Sequence, residues 1–127
     1  MATIEITSKN IDSLIETSKK DKTILFIDFW AEWCGPCKMF GPVFEEASDK
    51  NPEMVFAKCN TENEQEVAGQ FGIRSIPTLA IFRDGILIFM NPGALPAPAF
   101  EDLIEKVKNI DMNEVREEIE KENAAKA

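Results

Sequence analysis

Two cysteines separated by two residues are the most reactive pair of side chains in this sequence. Cys34 and Cys37 enclose Gly35 and Pro36 within the stretch FWAEWCGPCK, residues 29–38. On a helix this spacing places both side chains on one face, and two sulfurs can be bridged when their Cα atoms lie within about 7 Å. In a reducing compartment such a pair is more often catalytic or metal-binding than structural. The cysteine pair by itself is therefore compatible with either catalysis or metal binding.

The residues on either side of the pair predict the elements that position it. The apolar run over residues 24–27 is typical of a buried strand. The spacing of five later apolar residues predicts one face of a helix: Met39, Phe40, Val43, Phe44 and Ala47. The pair thus lies at a strand-to-helix junction, where free N–H groups and the helix dipole favour a thiolate at Cys34. Cys37, a turn further in, is predicted to be less exposed and to act as the resolving thiol.

The stretch from Asp28 to Lys38 closely resembles the active-site segment of the thioredoxin family. The segment FGIRSIPT, residues 71–78, matches the second signature of that family, and PGAL, residues 92–95, resembles the third. A Cys-x-x-Cys pair alone is a weak signal. The motif WCGPCK after a strand, with Ile-Pro-Thr downstream, is specific, and the resemblance covers roughly residues 3 to 108.

The residue pattern and the resemblance predict the same α/β fold. We predict the order βαβαβαββα, the thioredoxin fold, with a central mixed β-sheet flanked by helices on both faces. The predicted strands are residues 3–6, 24–30, 54–59, 78–82 and 86–89. The first predicted helix follows a cap at Thr7 or Ser8. The other three predicted helices occupy residues 34–50, 62–71 and 98–108. Residues 1–109 are then the thioredoxin domain.

Residues 110–127 depart from the family pattern and predict a C-terminal helical extension. An extra helix is expected at about residues 112–123, capped by Asp111 with Glu114 three positions later. Val115 and Ile119 form a narrow apolar stripe, and an i, i+4 pair is expected between Glu117 and Lys121. Two interpretations remain for the extension. It is a frayed, solvated helix without a function, or it docks on its own domain or on a partner.

Asp28 interrupts the apolar strand and shares one face with Phe26 and Trp30. A buried carboxylate is costly unless it is paired or protonated, so two interpretations compete. In one, Asp28 is a structural partner of Lys58 or belongs to a strand-end turn. In the other, which the resemblance implies, Asp28 accepts a proton from Cys37. The positive charge of Lys58 then tunes the pKa of Asp28. Burial predicts a raised pKa for Asp28, which Lys58 lowers only in part.

The resemblance also implies a substrate-binding surface around the cysteines. The Ile76–Pro77 bond is expected to be cis, which leaves the Ile76 backbone free to pair with an extended substrate. Gly35 leaves room for the substrate backbone, and Pro36 fits the first helical turn, where its missing N–H costs nothing. The complete expected surface comprises Trp33, Gly35, Pro36, Ile76, Pro77, Gly93 and Ala94.

The composition narrows the partners and the chemistry. The chain has 127 residues and a net charge of −9, which argues against nucleic acid or an anionic membrane as a partner. It has three cysteines and no histidine, which removes Cys-His and Ser-His catalysis. Zinc generally takes four ligands, and only Cys59 is available to join the pair, so we expect no metal site. Cys59 itself lies on a predicted buried strand, where a packing role is expected.

The function implied by the resemblance is that of a dithiol reductant of protein disulfides through a redox-active Cys34–Cys37 disulfide. We expect a monomer with no bound cofactor, reset by an NADPH-dependent flavoprotein, thioredoxin reductase, and acting on disulfide-containing proteins. The first residues lack a basic region followed by an apolar one, so no signal peptide is expected, and the location is expected to be cytoplasmic. One alternative is a redox-independent docking module that uses the fold and the acidic tail. Another is an oxidase or isomerase, which needs an oxidising compartment.

Overall fold

A five-stranded mixed sheet with helices on both faces forms the computed structural model, which describes residues 2–126. The strands are β1 (Thr3–Glu5), β2 (Ile24–Trp30), β3 (Val55–Asn60), β4 (Thr78–Arg83) and β5 (Ile86–Pro92). The helices are α1 (Ile11–Asp21), α2 (Gly35–Lys50), α3 (Gln65–Gln70), α4 (Ala97–Lys108) and α5 (Met112–Lys126). The predicted order βαβαβαββα and the extra C-terminal helix are confirmed. No helix within the described residues is both long enough and apolar enough to cross a membrane.

The strand β2 lies at the centre of the sheet, whose order is β1-β3-β2-β4-β5. β1, β3 and β2 run parallel, while β4 is antiparallel to both β2 and β5. Because β2 is paired on both sides, its C-terminal end is held in a fixed position. The cysteine motif begins directly after that end, so the sheet fixes where the motif starts.

Two apolar cores, one on each face of the sheet, hold β2 in place. On the face covered by α2 and α4, Phe26 stacks on Phe56 with 4.6 Å between ring centroids and meets Phe100 edge-on. On the face covered by α1 and α3, Leu25, Ile27 and Phe29 are buried. Full burial of each such side chain contributes about 1.5–3 kcal/mol. β2 therefore alternates between two cores, which is why its sequence is apolar almost throughout.

The prediction that Thr7 or Ser8 caps α1 is wrong, because Asn10 occupies the cap position. The Asn10 side chain donates to the carbonyl oxygen of Glu5 at 2.8 Å and accepts from the Thr7 N–H at 2.8 Å. These bonds hold residues 7–10 in a turn and delay the helix to Ile11.

The helix α3 is also shorter than predicted. Asn60 Oδ1 accepts from the backbone N–H of Glu62 at 3.0 Å and of Asn63 at 3.4 Å. This side chain closes a turn where the sequence pattern predicts the first turn of a helix, so α3 begins at Gln65.

Arg83 fastens the end of α4 to the sheet. Its Nη1 donates to the carbonyl oxygens of Val107, at 2.7 Å, and Ile110, at 2.8 Å. Val107 lies in the last turn of α4 and Ile110 lies just beyond it. Carbonyls at a helix C-terminus lack a partner within the helix, so a charged donor from β4 satisfies them. The chain leaving α4 is thereby directed into α5.

The start of α5 is anchored and the rest is exposed. Asp111 Oδ1 accepts from the N–H groups of Asn113, at 3.0 Å, and Glu114, at 3.3 Å, which confirms Asp111 as the cap. Met112 is buried. The predicted pair of Glu117 with Lys121 is wrong, since Lys121 Nζ lies 3.9 Å from Glu118 instead.

The hairpin between β4 and β5 turns at Asp84 and Gly85, which both have positive φ, 55° and 77°. Positive φ at both central residues is what a tight hairpin turn of the primed type requires. The Gly85 N–H donates to Ser18 Oγ at 3.1 Å, which brings the turn against α1. A Cβ on Gly85 would lie 2.5 Å from the Cβ of Lys19.

We expect Gly85→Ala to destabilise the protein much more than Gly72→Ala. Gly72 has a similar φ of 66°, but a Cβ there meets open space. The backbone penalty of about 1–2 kcal/mol applies to both, while overpacking adds about 1–3 kcal/mol only at Gly85. Urea unfolding of the two variants measures the difference directly. An equal loss of unfolding free energy in the two variants would show that the structure relieves the contact between residue 85 and α1 without cost.

Candidate active site

Cys34 and Cys37 form a disulfide at the junction of β2 and α2, with their Cα atoms 5.3 Å apart. Cys34 is the N-cap of α2, in extended conformation, and its Sγ accepts from the backbone N–H of Cys37 at 3.2 Å. Pro36 lies in the first turn, where no N–H is needed. The helix therefore begins at Gly35, one residue later than predicted, because Cys34 caps it. A sulfur that accepts a backbone N–H at a helix start is in a position where negative charge is stabilised.

The prediction that Cys37 is less exposed than Cys34 is wrong, because both residues are 4% exposed. The reason is the loop that carries Ile76, which lies against Cys34. The Ile76 carbonyl oxygen is 3.7 Å from Cys34 Sγ. A disulfide sulfur carries no hydrogen, so this is a contact in the oxidised form and becomes a donor–acceptor pair only after reduction.

The Ile76–Pro77 bond is cis, as the resemblance implies. The Pro77 carbonyl oxygen accepts from the Gly93 N–H at 2.8 Å, which joins the second and third signature segments. Gly93 has a φ of 112°, a conformation that side chains rarely allow. Among the described residues, the Ile76 N–H has no hydrogen-bond partner. A donor beside the disulfide is thus left free.

Trp33 lies at the surface beside Cys34, with 70% of its area exposed. Its Nε1 donates to Glu62 Oε1 at 2.7 Å, which holds the indole in one orientation. A cavity of about 570 Å³ lies between Trp33 and Ile76, with Thr61, Ile73 and Arg74 in its walls. Glu62 was not among the predicted site residues, because nothing in the local sequence pattern connects it to Trp33. Gly93 and Ala94, which follow β5, are exposed.

Asp28 is completely buried, and neither of its carboxylate oxygens has a hydrogen-bond partner among the described residues. Burial raises the pKa of Asp28 to about 7, while the positive charge of Lys58 lowers it and the negative charge of Glu45 raises it. The predicted direction, raised by burial and only partly offset by Lys58, is confirmed. A carboxyl that titrates near neutral pH can hold or release a proton under ordinary conditions.

Lys58 lies directly opposite Asp28 in the register of β2 and β3. Its Nζ pairs with Glu45 Oε1 at 3.8 Å and lies 4.9 Å from the centroid of the Trp30 ring. Lys58 is therefore held by Glu45 and Trp30, and it acts on Asp28 through its charge. Glu45 is a second site residue that was not predicted from the sequence. Its signal is the spacing of Cys37, Gly41 and Glu45 on α2, since i, i+4 steps place them on one face.

A small cavity lies beside Cys37 and this charged group. It measures about 240 Å³ and is lined by Trp30, Cys37, Glu45 and Lys58, among others. The cysteine, the lysine and the glutamate thus face one space.

Cys59 is a free thiol in the core against α1 and α3. Burial, together with the negative charges of Glu64 and Asp28, raises its pKa to about 12. Because thiolates are the reactive form, Cys59 is inert at neutral pH. No group of three or more histidine, cysteine or acidic side chains suited to a metal ion occurs in residues 2–126.

A disulfide at a helix N-terminus, next to a cis-proline loop and a buried carboxyl, defines a thiol–disulfide oxidoreductase. The comparison with protein families agrees with this geometry. The family model described as thioredoxin matches residues 2–109. The chain therefore belongs to the thioredoxin family.

Individual relatives support the same assignment. A protein named putative thioredoxin 2 from Streptomyces coelicolor is 47% identical over 123 residues, 97% of this chain and 89% of the relative. A thioredoxin from Chlorobaculum thiosulfatiphilum is 47% identical over 93 residues, 72% of this chain and 83% of that protein. Thioredoxin from Bacillus subtilis is 36% identical over 107 residues, 84% of this chain and 98% of that protein.

The family and the Cys34–Cys37 disulfide together make this chain a protein-disulfide reductase of the thioredoxin type. Thioredoxins need no bound cofactor, since the cysteine pair carries the two electrons.

Proposed function

We propose that Cys34 is the nucleophile with which this reductase attacks protein disulfides. The observation that carries the proposal is the position of Cys34 as the N-cap of α2, its sulfur 3.2 Å from a backbone N–H. In the reduced protein, that donor and the helix dipole lower the free energy of the thiolate. The thiolate forms a bond to one substrate sulfur and releases the other as a thiolate, which takes up a proton.

Cys37 then resolves the mixed disulfide. Its thiolate attacks Cys34 Sγ, the intrachain disulfide forms, and the second substrate sulfur leaves as a thiolate, which takes up a proton. Two electrons pass to the substrate. Asp28 accepts the Cys37 proton, and Lys58 tunes the pKa of Asp28 through its charge. The raised pKa of Asp28, about 7, supports this role, because an acceptor is most useful when its pKa lies near the working pH.

The substrate lies as an extended segment across the exposed rim of the disulfide. The free N–H of Ile76 supports pairing with the substrate backbone, in the manner of an added strand. Trp33 supplies a flat apolar surface whose orientation Glu62 fixes. Gly35 and Pro36 leave room for the substrate. Pro77, Gly93 and Ala94 complete the opposite rim.

The oxidised pair is reset by an NADPH-dependent flavoprotein, thioredoxin reductase. Disulfide-containing proteins in the cytoplasm are the substrates, and the protein acts as a monomer. The net charge of −9 argues against nucleic acid or an anionic membrane as a further partner. Residues 1–109 carry the reductase, and the family match to residues 2–109 supports placing 110–127 outside it as an extension.

NADPH consumption in a coupled assay tests this function. With a thioredoxin reductase and insulin as the disulfide substrate, the wild-type protein is expected to sustain steady NADPH oxidation. Cys34→Ser is expected to reduce the rate at least a thousandfold, because the attacking thiolate is gone. Cys59→Ala, the matched loss of a cysteine outside the site, is expected to stay within twofold.

Two outcomes would contradict different parts of the proposal. Full activity of Cys34→Ser in the coupled assay would exclude Cys34 as the nucleophile. A redox-inactive variant that kept full biological activity would instead favour a redox-independent docking module. Failure of the coupled assay, together with normal insulin reduction by chemically reduced protein, would exclude only the flavoprotein as electron source.

A further inference from the structure

A groove lies between α5 and β5, away from the cysteine pair. Its volume is about 820 Å³, larger than the cavity beside Trp33. The apolar residues that line it are Ile86, Leu87, Ile88, Ile110, Val115 and Ile119. The acidic residues around them are Asp111, Glu114, Glu117, Glu118 and Glu122. The groove therefore combines an apolar floor with an acidic rim.

The groove lies at the end of the sheet opposite the active site. β5 pairs only with β4, so its outer edge is free. Ile86 stands opposite Arg83 at one end of this pair, while Pro92 stands opposite Thr78 at the end next to the cis-proline. An occupant of the groove would lie next to Ile86 and would leave the disulfide accessible.

One side of the groove, α5, is fixed to the domain, while apolar side chains inside the groove remain exposed. Arg116 pairs with Asp84 at 3.3 Å, which ties the first half of α5 to the hairpin turn. Beyond this anchor, Ile119 is 37% exposed and Leu87 on β5 is 43% exposed. Exposed apolar side chains grouped within a polar rim are typical of an interaction surface.

The charge of the rim selects the kind of occupant. Lys121 is the single basic residue that lines the groove, and it pairs with Glu118 at 3.9 Å. Among the described residues, Glu114, Glu117 and Glu122 have no ionic partner. A second copy of this chain, with a net charge of −9, would bring the same negative charge against the groove and be repelled.

We propose that the groove binds a basic amphipathic segment of a partner protein. The apolar side chains of the segment cover Ile86, Val115 and Ile119, and its lysines or arginines pair with the free carboxylates of the rim. The match to the Streptomyces coelicolor relative covers 97% of this chain and so reaches into α5. The extension thus serves as a docking site that holds a partner while the cysteine pair stays free to react.

Binding of a synthetic peptide tests the proposal on the full chain. The probe is a fluorescently labelled amphipathic helix of lysine and leucine, and a peptide with glutamate in place of lysine is its control. The groove variant Glu114→Lys/Glu117→Lys/Glu122→Lys is compared with Asp12→Lys/Glu16→Lys/Asp21→Lys on α1. Both triple variants change the net charge equally, but only the first changes the rim.

At physiological salt, we expect the groove variant to bind the basic peptide at least tenfold more weakly than wild type. The α1 variant is expected to stay within twofold, and Ile119→Ser is expected to weaken binding severalfold. Reduction of a small disulfide is expected to be unchanged in all three variants.

Three results would overturn the proposal. Equal losses in the groove and α1 variants would mean that the peptide senses only net charge. Unchanged binding in the groove variant would place the peptide elsewhere. A wild-type dimer that the groove variant dissociates would assign the groove to a second copy instead.

Discussion

Cys37→Ser is expected to turn this protein into a trap for its substrates. Cys34 retains its position at the start of α2 and still attacks a disulfide, but no second thiol is left to displace the substrate. The mixed disulfide then persists, and turnover is expected to fall at least a thousandfold. Non-reducing electrophoresis, followed by mass spectrometry of the trapped adduct, measures the outcome and identifies the linked cysteine.

The matched variant Cys34→Ser is expected to trap little and to be equally inactive. Cys59→Ala in the Cys37→Ser background is expected to trap as much as Cys37→Ser alone, because Cys59 is buried and its raised pKa keeps it protonated. Adducts that form through Cys37 in Cys34→Ser, with none through Cys34, would reverse the proposed roles.

Asp28→Ala is expected to be more stable than wild type above neutral pH and slower in resolving mixed disulfides. The folded pKa of Asp28 is about 7, against an ordinary value of 3.8. Between these values the native state holds a proton that the unfolded chain has lost, so stability falls as pH rises. Above pH 7 the penalty is complete, on the order of 4 kcal/mol at 1.36 kcal/mol for each pKa unit.

The sign of the effect is expected to reverse with pH. Below about pH 3, Asp28 is protonated in both states. The alanine variant then retains only the loss of packing, about 1–2 kcal/mol. The Asp28→Ala variant should therefore be less stable than wild type in acid and more stable than wild type at pH 8. Asp28→Asn, which keeps the shape and removes the charge, separates packing from ionisation.

Kinetics complete the test of Asp28. Loss of a general base typically costs about 10²–10⁴ in rate, so single-turnover resolution should slow by that order in both variants. A stability difference that does not change with pH, together with unchanged resolution, would leave Asp28 as a structural residue only.

Much of this protein could be predicted from local sequence. The apolar run of β2 and the WCGPCK motif each carry their information within a few residues, and the Asp84–Gly85 turn marks the hairpin. The cis Ile76–Pro77 bond, in contrast, was expected only from the family resemblance. The structure confirms the fold, the disulfide, the cis bond and the direction of the Asp28 pKa shift.

The features that were missed depend on contacts between distant segments. Cys34 is as buried as Cys37 because the Ile76 loop covers it, which no spacing within the motif reveals. Glu62 reaches Trp33 across 29 positions. The early part of predicted α3 is a turn because one side chain, Asn60, competes for the backbone N–H groups.

The reduction potential of the Cys34–Cys37 pair tests the central claim most directly. Equilibration of the protein with dithiothreitol buffers of known potential, read out by thiol alkylation, gives its value. A reductant of protein disulfides is expected to have a potential near that of thioredoxin, about −270 mV. A value near that of a strong oxidant such as DsbA, about −120 mV, would contradict the assignment as a reductase.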